Sequence, residues 1–388
     1  MHAQTQPPKH RVGDIFRARG AEYAYLRGTT PQQRRTLDAL AACRTEELGG
    51  YVASCDVCDY RRVVYNPCRN RHCPSCEGQL AEAWTRELLQ RLLPCRYFHV
   101  VFTLPGDLRS LAFQNAKLVY GLMLKLAGRA LLRVARLPKH LGAQLGVTTV
   151  LHTWTQDLRY HPHVHCIVTA GGLSPDGSCW KRSWGEHYLA PNRLLGARYR
   201  RSLLRSLAHA YRTGKLRFAG GCESLADPNA FLQLRRRLEA KRWNVYAKAA
   251  FADVSRLVRY FGRYMRRIAI SDRRLLEADY DSVRFATKDG GEVWLDTLDF
   301  IHRFLLHVLP HGFVKVRHYG LHASACRRRL ERARALLGGD SEPDESATLD
   351  PEEDAQERCP QCFFGLLRRE ELWSQPRDYP LIPKRVPP

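Results

Sequence analysis

The chain has 388 residues, 44% of them hydrophobic, which is ordinary for a globular protein and enough for two or three domains. Its net charge of +23 predicts a polyanionic partner, most simply nucleic acid. No stretch reaches the roughly 18 uncharged apolar residues of a spanning helix, so we expect no membrane partner. Thirteen cysteines without an export signal favour metal ligands and free thiols over disulfides.

The positive charge lies outside one acidic stretch. Nine acidic residues and no Lys or Arg lie between Asp340 and Glu357, so the rest of the chain carries +32 once these nine are set aside. Such a run is typical of a solvated linker. Met1 to His10 lacks the apolar region of a signal peptide, and together with the cysteines this predicts a reducing, bacterial-type cytoplasmic location.

The first strong signal in chain order is a cysteine-rich segment. A helix is predicted before it, with Thr30 as N-cap, Pro31 at the first position and Gln33 closing a capping box. Two CxxC pairs then follow fifteen residues apart, the Cys₄ spacing of a zinc ribbon. Too few apolar residues accompany them to form a core, so metal binding is expected to fold the segment. The predicted ligands of this structural Zn²⁺ are Cys55, Cys58, Cys73 and Cys76.

Further candidate ligands surround that set. Cys43, Cys68 and His72 are candidates for a second zinc, which is left short of one ligand. Cys359 and Cys362 form half a zinc knuckle, which either takes ligands from elsewhere or is a remnant. Four arginines near the ligands are suited to phosphate contact: Arg61, Arg62, Arg69 and Arg71.

Strands and helices alternate through the middle of the chain. Strands are predicted over Tyr97–Leu104, Val147–Trp154 and Tyr160–Thr169. Apolar helices are predicted within Leu108–Leu137, basic helices over Arg193–Arg212 and Pro228–Arg242, and a long helix over Ala247–Ile270. This order predicts an α+β fold with an antiparallel sheet and flanking helices. The predicted domains are residues 1–92 (zinc-binding, DNA recognition), 93–275 (catalytic), 276–338 (helical C-terminal part), 339–358 (acidic linker) and 359–388 (tail with the last CxxC pair).

Three histidines alternate along the strand Tyr160–Thr169. Because strand side chains alternate faces, His161, His163 and His165 are expected on one face and Val164 on the other. Imidazoles grouped in this way form a potential metal site, whereas the alternative is a row of histidines on a solvent-facing sheet.

Two tyrosines share a face of the predicted long helix. Tyr260 and Tyr264 are four positions apart, about 6 Å along the axis. Core aromatics are the alternative interpretation, but the flanking arginines argue against a simple apolar core. The residues predicted to hold a DNA backbone here are Arg256, Arg259, Arg263, Arg266 and Arg267.

Taken together, these motifs resemble the two-tyrosine HUH transposases, specifically the rolling-circle insertion-sequence family numbered ninety-one. The matching phrases include Tyr65-Asn-Pro-Cys-Arg-Asn-Arg-His-Cys-Pro-Ser-Cys76, Tyr97-Phe-His-Val-Val-Phe-Thr-Leu-Pro105, His161-Pro-His-Val-His-Cys-Ile-Val168 and Tyr260-Phe-Gly-Arg-Tyr264. They occur in the expected order over roughly residues 10 to 338. The resemblance implies a sheet of HUH-endonuclease type behind an N-terminal zinc-binding domain.

The resemblance also implies the chemistry. The family's HUH pair maps onto His163 and His165, which would bind catalytic Mg²⁺ or Mn²⁺, and its nucleophiles map onto Tyr260 and Tyr264. Gln156, or less favourably His161, is the candidate third ligand, since Pro162 is positioned to turn His161 away. The implied enzyme nicks single-stranded DNA at element ends, joins strands through 5′-phosphotyrosine intermediates and acts at the bacterial nucleoid.

Two other functions fit parts of the pattern. A plasmid replication initiator or relaxase of HUH type would use the same chemistry, but the zinc segment argues against it. A zinc-dependent DNA-binding protein without catalysis would need neither the histidine pair nor the tyrosines. The sequence leaves the oligomeric state open.

Overall fold

The computed structural model describes residues 8–76, 88–183, 191–251, 268–338 and 357–373. The helices of these residues are α1 (Val12–Arg27), α2 (Pro31–Ala41), α3 (Arg109–Gln114), α4 (Ala116–Ala135), α5 (Asn192–Arg212), α6 (Pro228–Ala240), α7 (Thr297–Leu305) and α8 (Arg327–Leu336). The strands are β1 (Gly50–Cys55), β2 (Arg61–Tyr65), β3 (Tyr97–Thr103), β4 (Gly146–Trp154), β5 (Tyr160–Thr169), β6 (Gly171–Leu173), β7 (Trp180–Arg182), β8 (Val245–Phe251), β9 (Leu275–Ala278), β10 (Ser282–Ala286), β11 (Glu292–Asp296), β12 (Val316–Gly320) and β13 (Leu367–Trp373).

A five-stranded sheet organises the centre of the molecule. Its order is β12-β4-β5-β3-β8 and every neighbouring pair is antiparallel, so β5 is the middle strand. Smaller antiparallel sheets are formed by β13-β1-β2, by β11-β10-β9 and by the hairpin β6-β7. The predicted α+β fold with an antiparallel sheet is therefore confirmed.

One face of the central sheet packs against helices. Val164 of β5 and Phe102 of β3 point into the main core, where the Phe102 and Tyr199 rings are 5.0 Å apart and join β3 to α5. Met123 of α4 is fully buried in the same core. Because β-branched and aromatic residues alternate with polar ones along these strands, the opposite face is left to the histidines.

The N-terminal helices are fixed to the same core. The capping box predicted at Thr30 and Gln33 is present in α2. Phe16 of α1 meets Phe304 of α7 edge to face at 5.2 Å. Asp272 accepts hydrogen bonds from the Val12 backbone N–H at 2.9 Å and from the Ser75 hydroxyl, which ties the cysteine-bearing turn at residues 74–76 to α1.

One predicted element is wrong in part. The helix predicted over Ala247–Ile270 begins instead as strand β8, which pairs with β3 along Val245–Phe251. Tertiary pairing with the sheet overrides the helix-compatible run of alanines there. Residues 252–267, with both tyrosines and their arginines, lie outside the described residues.

The described helices include none that is long and apolar enough to cross a membrane.

A buried histidine connects α7 to the central sheet. His307 is fully buried, its Nε2–H donates to the Leu158 carbonyl at 3.1 Å and its Nδ1 accepts from the Thr153 hydroxyl at 3.2 Å. Burial lowers the pKa of His307 to about 4. The folded state thus keeps this ring neutral at pH values where an unfolded chain would protonate it, near 6.5.

We expect this neutral ring to make stability fall with acidity. The contribution of the neutral His307 ring to the free energy of unfolding is fully present above pH 6.5. It is lost as the pH falls from 6.5 to about 4, because only the unfolded state gains a proton in that range. The loss from His307 at pH 5 is about 2 kcal/mol. Urea unfolding of His307→Gln should show a shallower dependence between pH 7.5 and 5, whereas substitution of the exposed His311 by Gln should leave it unchanged. An equal slope in both variants would contradict this account.

Candidate metal centres and catalytic site

Three buried histidines from two neighbouring strands meet on the face of the sheet opposite the main core. The nitrogen atoms that His152 of β4 and His163 and His165 of β5 offer to a cation all lie within 4.8 Å of one another. Their exposed fractions are 0%, 9% and 6%. The rings of His152 and His165 are 4.3 Å apart, and those of His163 and His165 are 4.8 Å apart. The structure thus brings together the predicted pair, His163 and His165, and a third histidine, His152, which is not among the predicted ligands.

A β-bulge places His152 in this group. Trp154 pairs with Tyr160, and His152 pairs with His163. Between these two pairs β4 has one residue and β5 has two, so β5 carries one extra residue. The extra residue shifts the register by one and brings His152 to the face of His163. Pro162 lies in the bulge, where the ladder does not need a backbone N–H donor from this residue.

All three rings are neutral at neutral pH. Burial lowers the pKa of His163 to about 4, and burial together with the neighbouring imidazoles lowers the pKa of His152 and His165 well below the usual value. Nδ1–H of His163 donates to the His161 carbonyl at 2.6 Å, so Nε2 holds the lone pair. A neutral imidazole with its other nitrogen held in this way is the form that binds a metal ion.

His99 of β3 supports the group from the next strand. Its Nε2 is 2.7 Å from Nδ1 of His165, and the two rings stack at 5.0 Å. When His165 donates this bond, its Nε2 keeps the lone pair that a cation needs. His99 pairs with Ile167, and His165 with Val101, which puts both histidines on one face.

The two residues predicted as a third ligand lie outside the three-histidine group. Gln156 uses both ends of its amide elsewhere: the nitrogen donates to Asp289 and the oxygen accepts from the Lys288 N–H. The Arg109 guanidinium donates to Nδ1 of His161 at 3.0 Å. His161 thus contributes its backbone carbonyl to the group, and the third side chain of the group is that of His152 rather than of Gln156 or His161.

Aromatic residues beside the group are packed rather than exposed. Trp154 stacks on His152 at 4.5 Å, and the Tyr160 hydroxyl is hydrogen-bonded to that of Tyr120 at 2.5 Å. These contacts support the histidines and the core.

The cysteines form two clusters, each with four sulfurs. Two predicted pairs, Cys55 with Cys58 and Cys73 with Cys76, were expected in one site, but the structure does not bring them together. It groups Cys43, Cys68, Cys73 and Cys76, and separately Cys55, Cys58, Cys359 and Cys362. The grouping predicted from spacing is therefore wrong, although each CxxC pair does lie in a four-cysteine set.

The first cluster brings the end of α2 together with residues 68–76. The sulfur of Cys43, just after α2, is 3.5 Å from those of Cys73 and Cys76, and Cys68 is 3.7 Å from Cys76. Contacts with Cys43 raise the pKa of Cys68 and Cys73, while contacts with the other thiols lower that of Cys76. Sulfurs this close can all be ionised only beside a cation, and four thiolates are a typical structural zinc set.

His72 has a different role from the one predicted. Its ring is buried, Nδ1 is bonded to the Asn70 side chain at 3.0 Å, and Nε2 accepts from the Leu309 N–H at 3.0 Å. Both nitrogens are used, and His72 joins the cysteine turn to the chain after α7. The four members of this cluster are therefore all cysteines, and His72 is not among them.

The four predicted phosphate-binding arginines of this region differ in availability. Arg61 and Arg69 are exposed, and Arg62 pairs with Glu357 at 2.9 Å. Arg71 is half-buried, donates to the Phe313 carbonyl at 2.9 Å and has its pKa lowered by burial. Arg71 therefore holds the cysteine turn in place.

We expect Cys68→Ser to remove one equivalent of zinc and to destabilise the N-terminal segment. Binding of structural zinc contributes about 10–16 kcal/mol in isolated zinc-finger peptides. Loss of part of this free energy should lower the Tm of the variant. Metal analysis and thermal unfolding measure both effects. Cys179→Ser, in the exposed turn before β7, is the matched control and should change neither. Unchanged zinc content in Cys68→Ser would contradict the assignment.

Two family models match this chain. One described as a transposase zinc-binding domain matches residues 15–104, which include the whole first cysteine cluster but only Cys55 and Cys58 of the second. One described as a putative transposase matches residues 146–329, which include the three histidines and both tyrosines.

Curated relatives extend the match over nearly the whole chain. "Putative transposase y4qJ" of Sinorhizobium fredii is 41% identical over 381 residues, which is 94% of this chain and 95% of that protein. "Transposase for insertion sequence element IS801" of Pseudomonas savastanoi pv. phaseolicola is 29% identical over 322 residues, 78% of this chain and 73% of that protein. No solved structure matches significantly. The chain therefore belongs to the transposases of insertion-sequence family ninety-one and includes their zinc-binding domain.

Proposed function

We propose that this transposase is an HUH endonuclease that nicks single-stranded DNA and transfers strands in rolling-circle transposition. The single observation that supports this most strongly is the group of three buried, neutral imidazoles, His152, His163 and His165, on one face of an antiparallel sheet. A row of histidines on a solvent-facing sheet, the alternative considered above, would be exposed. Buried neutral imidazoles with fixed partners are instead arranged as ligands.

These imidazoles suit a divalent ion. Mg²⁺ prefers oxygen ligands, whereas transition ions accept imidazole nitrogen, so of the two predicted ions Mn²⁺ fits the donor set better. The remaining positions would be left for phosphate oxygens. When bound, the cation would polarise the scissile phosphate and offset the charge that develops there.

The nucleophile in this proposal is a tyrosine hydroxyl of residue 260 or 264. Its oxygen attacks phosphorus, the bond from phosphorus to the 3′ oxygen breaks, and a 5′-phosphotyrosine and a free 3′-OH result. A 3′-OH then reverses the step on a new strand. The bond energy is kept in the phosphotyrosine, so resealing needs no nucleotide cofactor.

The position of β8 supports this role for the tyrosines. β8 lies beside β3 at the edge of the central sheet, and residue 252 follows it directly. β8 thus ends nine positions before Tyr260 in the sequence, and it belongs to the sheet whose middle strand bears His163 and His165. Two nucleophiles, rather than one, would let the enzyme hold two DNA ends covalently at once.

The charge distribution supports DNA as the partner. Arg61 is exposed at the start of β2, opposite Ser54 and thus beside the second cysteine cluster, and Arg69 is exposed next to Cys68 of the first. These two arginines, together with those at 256, 259, 263, 266 and 267, are proposed to contact phosphates. In this proposal the zinc-binding domain recognises the DNA at the element end, and the catalytic site on the central sheet cleaves it.

Covalent capture tests the proposal. The protein is incubated with Mn²⁺ and labelled single strands that cover both ends of its own element, and adducts are separated on a denaturing gel. We expect a protein–DNA adduct that is lost in the Tyr260→Phe, Tyr264→Phe double variant and after chelation. Specific DNA binding without an adduct on either end would favour the non-catalytic DNA-binding protein. Mobilisation of a marked element in cells separates a transposase from a replication initiator.

The ligand assignment makes a sharper prediction. His152→Ala should reduce adduct formation at limiting Mn²⁺ by about 100-fold or more, because it removes a direct ligand. His99→Ala should weaken Mn²⁺ affinity by about 10–100-fold, as expected for a residue that orients a ligand, and excess Mn²⁺ should restore its activity. Gln156→Ala, two residues beyond the end of the strand β4 that carries His152, is the matched control. A larger loss in Gln156→Ala than in His152→Ala would overturn the assignment.

A further inference from the structure

The second cysteine cluster joins parts of the chain that are about 300 positions apart. The sulfur of Cys55 is 3.7 Å from that of Cys362, and the sulfur of Cys58 is 3.6 Å from that of Cys359. The four sulfurs all lie within 4.8 Å of one another. One CxxC pair ends β1, and the other lies just before β13.

The sulfur spacing fits a tetrahedral zinc ion. A Zn–S bond of about 2.3 Å places two sulfurs of a tetrahedron about 3.8 Å apart. A disulfide would need about 2.05 Å, and all four thiols are free. The two measured separations across the cluster are thus those of a metal site.

Backbone N–H groups point at the sulfurs in both knuckles. The Val57 N–H donates to the Cys55 sulfur at 3.4 Å, and the Gln361 N–H donates to the Cys359 sulfur at 3.4 Å. The Gly365 N–H donates to the Cys362 sulfur at 3.3 Å. Such bonds stabilise thiolates rather than thiols, and thiolates are the form that binds zinc.

Gly365 shows how closely the two knuckles approach. A Cβ at this position would lie 2.2 Å from the Cys55 sulfur, so only glycine fits. The backbone beside it is paired in both directions: the Leu366 N–H donates to Asp56 Oδ1 at 2.7 Å, and the Asp56 N–H donates to the Leu366 carbonyl at 3.1 Å.

The apolar core of this unit is too small to hold it together alone. β13 pairs with β1 in the sheet β13-β1-β2, and the buried side chains between them are those of Ala53, Cys359 and Leu367. Units with so little buried apolar area depend on a metal or a covalent crosslink. We propose that Cys55, Cys58, Cys359 and Cys362 bind a second structural Zn²⁺, which fastens residues 357–373 to the N-terminal sheet.

Zinc content of the full chain tests this site directly. The Cys359→Ser, Cys362→Ser double variant should contain one equivalent of zinc less than the wild type, while Cys179→Ser should match the wild type. Cys359→His, which keeps a zinc ligand, should retain the equivalent. A double variant with the wild-type zinc content would overturn the proposal.

Thiol reactivity of the wild-type protein tests the site without a substitution. In the zinc-loaded chain, Cys55, Cys58, Cys359 and Cys362 should resist alkylation, and all four should become reactive together when a chelator removes the metal. Peptide mass mapping follows each thiol, with Cys179 as the internal reference for an exposed cysteine. Recovery of the four as disulfides, or alkylation of Cys359 and Cys362 as fast as Cys179 in the presence of zinc, would overturn the proposal.

Discussion

The one-residue bulge between β4 and β5 is the constraint on which the candidate catalytic site depends. In an unbroken antiparallel hairpin that pairs Trp154 with Tyr160, His152 would face Pro162 and point toward the main core. The bulge moves His152 across to His163 and leaves the apolar alternation of β5 intact. Burial then keeps the rings neutral, since a charged imidazole in this position would lose its hydration.

The histidine face and the helix-packed face stabilise each other. Val164 and Cys166 anchor β5 in the main core, so the histidines between them are held on a rigid strand. His99 adds a support from β3, and the His161 carbonyl fixes the ring of His163. A site built on three paired strands holds its side chains more precisely than one built on loops.

The sequence predicts the local features of this protein well and the long-range ones poorly. Periodicity and capping signals placed β5, the α2 cap and His163 with His165, because each depends on residues a few positions apart. His152 was missed because a bulge reverses strand faces and no residue type marks it unambiguously. The cysteine spacing predicted pairs of ligands but not how the pairs combine, since folding brings Cys55 to Cys362 across most of the chain.

The two CxxC pairs of the second cluster are made at very different times during synthesis of the chain. Cys58 and Cys359 are 301 positions apart, so at about 5–20 residues per second the ribosome needs roughly 15–60 s to supply the second half of the cluster. During that interval β1 has no β13 to pair with, and Cys55 and Cys58 lack the other two cysteines of the cluster. A chain whose synthesis stops before Cys359 therefore never completes this cluster.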